Sequence, residues 1–351
     1  MSERILVLNP GTTSTKVAVF DGTDCLWQES IGHDAATLHS FGTVAGQLDH
    51  RYELIDKDIP EDARGWTAVV GRGGLLRPLE GGIYAVNDSM LQDARKAQFG
   101  EHASNLGSML ANRFAAAAGV PAYVVDPVTT DEFGPIPRIS GVPGIERKCR
   151  AHALNIKAVA RRTAKDMGVP FDESRFVVAH LGGGISIAAL AGGRIQDVND
   201  GLLGMGPFSP ERSGALPLQG VIDLVRDKGY DEAKRIFSKD SGFVGYFGTA
   251  DLRDIEAKIA AGDELAELVF EAMVYQIAKE IGAMAAALSG NLNGVVLTGG
   301  LVHSGKLRRT LEDYVNWIPG GVHLQPGEEE MLALAEGGLR ALRGEEKVLV
   351  Y

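Results

Sequence analysis

Short unbroken apolar runs alternate along the chain with longer stretches of helical period. Ile5-Leu-Val-Leu8, Trp66-Thr-Ala-Val-Val-Gly71, Ala122-Tyr-Val-Val-Asp126, Phe176-Val-Val-Ala179 and Gly294-Val-Val-Leu-Thr-Gly-Gly300 each read as a strand. A continuous apolar run, as opposed to an alternating one, marks a strand covered on both faces. Residues 102–118 predict an Ala-rich amphipathic helix, and 149–167 another, ended by Gly168 and Pro170. Glu264–Leu288, Leu301–Trp317 and Glu328–Arg343 are helical as well. Strands alternating with helices place the chain in the α/β class. No low-complexity linker interrupts it, and candidate boundaries lie near Pro143–Arg150 and Pro319–Pro326.

One unit occurs twice. Ile5-Leu-Val-Leu-Asn9-Pro-Gly11-Thr12-Thr-Ser14-Thr15-Lys16 continues to Asp21-Gly22 as strand, small-residue turn and strand. Phe176-Val-Val-Ala-His180-Leu-Gly182-Gly183-Gly184-Ile-Ser186 continues to Gly193 in the same way, 171 positions later. Aligned without a gap, Asn9 falls on His180, Gly11 on Gly182, Thr15 on Ser186 and Gly22 on Gly193. An offset near half the chain implies duplicated domains. Small residues in such a turn let backbone N–H groups approach a phosphate closely, and hydroxyls add donors. Two facing hairpins of this kind would hold a polyphosphate between two domains.

Composition narrows the function classes. The length, 351 residues, suggests about two domains. A charged fraction of 23% beside 45% apolar residues excludes a disordered chain. The net charge of −11 argues against nucleic-acid binding, which needs clustered Lys and Arg; one basic run, Arg147, Lys148 and Arg150, stands apart. Cys25 and Cys149 are too few for a disulfide framework or a zinc cluster, and read as idle thiols in a reducing compartment. The first apolar stretch breaks at Asn9-Pro10-Gly11, so no signal peptide is expected. No apolar run reaches the ~18–20 residues of a membrane span. Together these predict a cytoplasmic protein with no membrane partner.

Gly300-Leu-Val-His-Ser-Gly305-Lys306-Leu307 nearly matches the P-loop pattern. The pattern closes on Ser or Thr, whose hydroxyl binds magnesium, and Leu307 has none. A glycine turn packed against a nucleotide is the better reading of Gly299 and Gly300.

Several further segments carry a family resemblance. Val70-Gly-Arg72-Gly-Gly-Leu-Leu-Arg-Pro78, Val124-Val-Asp126-Pro-Val-Thr-Thr-Asp131, Ile145–Asn155, Ala179–Gly184 and, most specific, Gly206-Pro-Phe-Ser-Pro-Glu-Arg212-Ser-Gly214 resemble the acyl-phosphate-forming carboxylate kinases, the acetate and butyrate kinase family. The resemblance spans essentially the whole chain. It implies duplicated actin-like (ribonuclease H-like) domains with a nucleotide cleft between them: 1–145, joined by a C-terminal helix within 326–351, and 146–325. It implies transfer of phosphate from ATP, with Mg²⁺, to butyrate or a related acid, by a homodimer or larger homo-oligomer. Arg72 and Arg212 match the family's active-site arginines, His152 and His180 its histidines, and Asp126 its magnesium-associated carboxylate. The run Glu328–Glu330 matches the segment of a second metal-associated glutamate, read as Glu329. Asp251-Leu252-Arg253 and Gly299-Gly300 resemble the adenosine-contacting loops, while Asn9, Thr12, Ser14, Lys16 and Gly182–Gly184 form the phosphate segments. Ala151, where relatives often carry an aromatic residue, and Gly201-Leu-Leu-Gly204 depart from the family pattern beside the expected acyl pocket.

The chemistry suits these residue types. Phosphoryl transfer rests on positioning and on stabilising charge spread over the moving group. A carboxylic acid with a pKa near ~4–5 is already ionised at pH 7 and needs no general base. Its negative charge must instead be brought towards ATP, and an arginine fork compensates that repulsion. Arg72 is assigned to the substrate carboxylate and Arg212 to the moving phosphoryl group. A sugar or alcohol kinase of the same superfamily would use Asp126 as a general base, and an actin-like or chaperone-like switch would need a partner surface in place of a small pocket.

Overall fold

The computed structural model describes residues 3–351; Met1 and Ser2, the first positions of the 1–145 domain, lie outside the described residues. Among those described, the strands are β1 (Arg4–Pro10), β2 (Ser14–Asp21), β3 (Asp24–Gly32), β4 (Ala68–Arg72), β5 (Ile83–Ala85), β6 (Ala122–Val125), β7 (Arg175–Leu181), β8 (Ile185–Ala191), β9 (Arg194–Val198), β10 (Gly294–Gly299), β11 (Val322–Pro326) and β12 (Val348–Val350). They build two sheets, in the orders β12-β5-β6-β4-β1-β2-β3 and β11-β10-β7-β8-β9.

The same core recurs in both sheets. An antiparallel meander, β1-β2-β3 or β7-β8-β9, joins a parallel pair through its first strand, β4 and β6 or β10 and β11. The chain divides into one unit of Met1–Asp131 with Glu329–Tyr351 and a second of Glu132–Glu328. The divisions thus fall at 131/132 and 328/329 rather than at 145/146 and 325/326. Glu132 belongs with the second unit because its buried carboxylate pairs with Lys157 at 2.8 Å and accepts the Ile195 amide. Gly327 does so because it exchanges two backbone hydrogen bonds with Gly299.

Each sheet is covered on both faces. In the first unit, Leu6, Leu8 and Val69 pack against Leu110 and Phe114 of the helix Leu106–Ala118. On the other face the helix Glu330–Arg343 approaches closely, since a Cβ at Gly337 would lie 2.5 Å from Val125 and one at Gly338 2.7 Å from Val70. In the second unit, Val177, Ala179 and Leu181 face Phe270, Met273 and Ile277 of the helix Glu264–Ala287. Phe176 and Val178 face Ile156 and Val159 of the helix Ala153–Asp166. Alternate residues of one apolar strand therefore serve two cores, which is why these strands lack a polar face.

The duplication carries one correction. Asn9 pairs with Lys16 across the first hairpin, but His180 pairs with Ser186 across the second. Four residues separate Pro10 from its partner Thr15, and three separate Leu181 from Ile185. The gapless alignment thus holds for the first strands and slips by one residue after the turn. The counterpart of Gly22 is Gly192, not Gly193; both have φ of 59°. A bulge between Val19 and Phe20 recurs between Ala189 and Leu190, as this corrected register requires.

Candidate active site

In the first unit the predicted residues gather at the carboxyl ends of three adjacent strands. Asn9 lies near the end of β1, Arg72 ends β4, and Asp126 follows β6. Crevices outside such strand ends are where open α/β sheets bind ligands. The Arg72 guanidinium is buried; Nη2 lies 3.3 Å from Glu330 Oε1, and Nη1 has no hydrogen-bond partner. Asn9 donates to the other Glu330 oxygen at 2.9 Å. Asp126 is buried with φ of 38°, and its Oδ1 accepts the Gly82 amide at 2.8 Å. Thr12 and Lys16 are exposed and Ser14 is half-buried, so the turn presents its hydroxyls and its ammonium to solvent.

Arg72 owes its position to a glycine pair. The helix Leu106–Ala118 lies against β4 so closely that a Cβ at Gly107 would come 1.9 Å from the Arg72 carbonyl oxygen, and one at Gly71 2.1 Å from that of Gly107. We expect Gly107→Ala to push the Arg72 backbone aside, to cost about 1–3 kcal/mol of stability and to lower kcat. A thermal melt and a hydroxamate assay on the same preparation check this; an unchanged Tm together with full kcat would show that the strand end tolerates the displacement.

The second unit places its residues at the ends of β7, β10 and β11. Thr298 donates to the Gly327 carbonyl at 3.1 Å, and the Asn155 amide donates to Thr298 at 3.2 Å and to His180 Nδ1 at 2.9 Å. This chain makes Nδ1 an acceptor, so the proton of neutral His180 resides on Nε2. Nε2 is buried and lies 3.1 Å from Glu328 Oε1, but outside hydrogen-bonding geometry. His152, at the head of the helix Ala153–Asp166, stacks on His180 with ring centroids 3.9 Å apart and meets Ser186 through Nδ1 at 2.9 Å. Arg212 lies over Gly184, where a Cβ would sit 2.2 Å from Nη1. It donates to the Gly201 carbonyl, its Nε has no partner, and burial lowers its pKa against the opposing pull of Glu211 and Asp200. Ser209 fastens this loop to the glycine turn by donating to the Gly183 carbonyl at 2.5 Å and accepting the Arg212 amide at 3.2 Å. The Gly201–Gly204 segment thus borders Arg212, whereas Ala151 packs on the core beneath the helix Ala153–Asp166.

The acidic run is divided. Glu328 faces His180, Glu330 engages Arg72 and Asn9, and Glu329 caps the helix Glu330–Arg343, its carbonyl accepting the Ala333 amide. Asp251 caps the helix Leu252–Ala260 and is ion-paired with Arg253, which holds its carboxyl at about 2. Leu252 is buried. Glu256 of that helix accepts from Ser304, which joins it to the loop after Gly299 and Gly300. Lys306 pairs with Glu267 and lies over Phe270, so the P-loop reading fails on the lysine too. The two arginines of the basic run are paired, Arg147 with Asp197 and Arg150 with Asp200. Cys149 is buried and Cys25 exposed.

His102 escaped sequence reasoning. It caps the turn ahead of the helix Leu106–Ala118, its Nδ1 accepting the Ser104 amide at 3.2 Å. Burial first, then the Arg72 charge, lowers its pKa. The available signal was the run His102-Ala-Ser-Asn-Leu-Gly107, whose Ser104 and Asn105 are buried polar residues. Among the described residues no cluster of three His, Cys, Asp or Glu could hold a metal ion by itself.

Known proteins resemble this chain in sequence and in fold. Residues 141–316 match the acetokinase family. The chain is 46% identical to a protein of Coprothermobacter proteolyticus named "Probable butyrate kinase", over the full length of both. It is 47% identical to one of the same name from Enterococcus faecalis, over 99% of this chain and 98% of that one. The crystal structure of Porphyromonas gingivalis acetate kinase superposes with a TM-score of 0.77 at 21% identity, covering 97% of this chain and all of that one. The fold is thus the duplicated actin-like one, and the chain belongs to the acetokinase family, phosphotransferases with a carboxyl group as acceptor.

Proposed function

We propose that this carboxylate kinase acts on butyrate or a related short or branched acid, forming the acyl phosphate and ADP reversibly. The observation that carries this reading is near-half identity, over the full chain, to relatives named for butyrate. A carboxylate oxygen attacks the γ-phosphorus in line, and the bridging oxygen leaves with its electron pair on ADP. Arg72 holds the acid, Arg212 compensates charge on the moving group, and the Nε2–H of His180 donates to it. Their unpartnered donors support these roles, because a buried donor without an acceptor costs about 1–3 kcal/mol unless a ligand supplies one.

Magnesium fits the donor set. It takes one or two carboxylates beside phosphate and water, and Asp126 offers a carboxylate just past the end of β6. Asp126 and Glu329 would hold it, directly or through water, since Asp126 follows β6 and Glu329 heads the helix Glu330–Arg343. When bound, it neutralises charge on the phosphates.

We also assign the protein to the cytoplasm, as a homodimer or larger homo-oligomer. Among the described residues no helix is long and apolar enough to cross a membrane. The helix Leu218–Lys228 has no buried residue, and an apolar cavity of about 590 Å³ opens beside it, lined by Leu203, Met205, Leu216, Val221, Tyr230 and Phe237.

Hydroxamate formation from ATP, Mg²⁺ and hydroxylamine tests the substrate, with acetate, propionate, butyrate, isobutyrate and valerate compared side by side. We expect a maximum at four or five carbons and a loss of roughly tenfold per methylene removed. A maximum at acetate or propionate would overturn the butyrate assignment, and no hydroxamate with any acid the whole reading.

A further inference from the structure

Arg51 lies on the helix Leu48–Asp58 and is fully buried, at 0% exposure. A buried arginine ordinarily meets a carboxylate. This one meets only neutral acceptors. Nη1 donates to the Gly11 carbonyl at 2.9 Å and to Thr15 Oγ1 at 3.1 Å, with the Ser14 carbonyl at 3.5 Å. Nη2 donates to the Thr12 carbonyl at 3.2 Å and to Gln47 Oε1 at 2.9 Å, and Nε reaches the same Gln47 oxygen at 3.2 Å. Four of its five acceptor residues lie in the turn after β1 or in the first two positions of β2.

Two consequences follow from simple geometry. A planar trans peptide points its carbonyl and the next N–H in opposite directions. With the Gly11 and Thr12 carbonyls drawn inward to Arg51, the Thr12 and Thr13 amides face the other way. Neither donates to another backbone group among the described residues. The fork therefore shapes the turn into a pair of outward donors, a concavity that suits an anion. A full positive charge also sits directly behind those donors with no counter-ion in its contacts.

The neighbouring imidazole does not share that charge. His33 Nε2 lies 2.8 Å from Thr15 Oγ1, and its pKa is lowered to about 4, first by burial, then by Arg51 and His50. It is neutral at pH 7. Burial brings Arg51 itself down to about 10, so it stays protonated.

The geometry points to Arg51 as a positioning residue whose buried charge is completed by a phosphate anion seated on the Gly11–Ser14 turn. It touches no substrate; it orients the turn's amides and supplies the positive field behind them. This rests on the kinase reading above, and the new claim is that the turn's affinity for phosphate comes largely from a residue hidden beneath it.

Inorganic pyrophosphate, measured by calorimetry against the full chain, tests the proposal without any acid substrate. Failure of the hydroxamate assay and failure here are therefore distinguishable. Arg51→Met is expected to weaken pyrophosphate binding by about tenfold or more and to raise KM for ATP in parallel. Arg51→Lys, which keeps the charge and loses the fork, is expected to fall between the two, about threefold or more below the unmodified protein but well above Arg51→Met. Unchanged pyrophosphate affinity in a folded Arg51→Met protein would overturn the proposal. So would equal losses in the Met and Lys variants, the pattern of a merely structural arginine. If Arg51→Met does not fold, Arg51→Lys decides, since unchanged pyrophosphate affinity there would show that the fork does not orient the turn's amides.

Discussion

Replacing Arg212 with alanine lowers kcat by about 10³-fold, the scale on which a transition-state arginine acts, and changes KM for ATP by only a few-fold. The structural ground is the way this side chain is kept. It lies where a glycine, Gly184, leaves room for it, and it is tied down through Gly201. Its Nε nonetheless has no hydrogen-bond partner, and burial lowers its pKa. A half-buried guanidinium whose buried Nε has no acceptor is costly in the resting protein. That cost is offset when charge develops on a phosphoryl group in front of it, which is differential binding of the transition state. ATP binding draws on other contacts, so KM should move little. Arg212→Lys should recover only part of kcat, because an ammonium cannot reproduce the planar fork. Steady-state hydroxamate kinetics give both constants. A kcat unaffected by Arg212→Ala would remove the residue from the transfer step.

Asp126→Asn should raise the Mg²⁺ concentration needed for half-maximal activity by about 10–100-fold, the range typical of a disturbed metal-supporting carboxylate. The substitution isolates charge. Asn tolerates the φ of 38° as Asp does, and its side-chain oxygen can still accept the Gly82 amide. The fold at this corner is thus preserved, and Tm should hold. Asp126→Ala gives the complementary result: it also loses the Gly82 bond and should destabilise by about 1 kcal/mol. Kinetics at graded Mg²⁺ separate the two effects. Full activity of Asp126→Asn at ordinary Mg²⁺ would place the carboxylate in a purely structural role at the β6 turn.

Much of this site was legible before any fold was known. The runs at Ile5, Trp66, Ala122, Phe176 and Gly294 became β1, β4, β6, β7 and β10, and the long helix came within one residue of its predicted end. Burial on both faces demands continuous apolar strands, and that demand is written locally. The repeat was visible for the same reason: equal sheets require equal strand patterns. Because strand ends in such sheets are ligand sites, Asn9 and His180 could be marked from their place in the pattern alone.

Other features depended on contacts between distant residues. Hairpin register follows from turn length, and the second turn is one residue shorter, so the match of Thr15 with Ser186 and of Gly22 with Gly193 gave way after the glycines. Three consecutive glutamates are equivalent in sequence; a helix start turns Glu330 towards Arg72 and leaves Glu328 beside His180. Nothing in the sequence singles out Arg51; it is the fold of the turn over it that removes it from water. The chain by itself determined the class, the duplication and the two small-residue turns, because these rest on periodicity and on local backbone freedom. Only the tertiary structure decided which charges face which partners, because an ion pair or an uncompensated charge is a property of residues brought together from far apart in the chain.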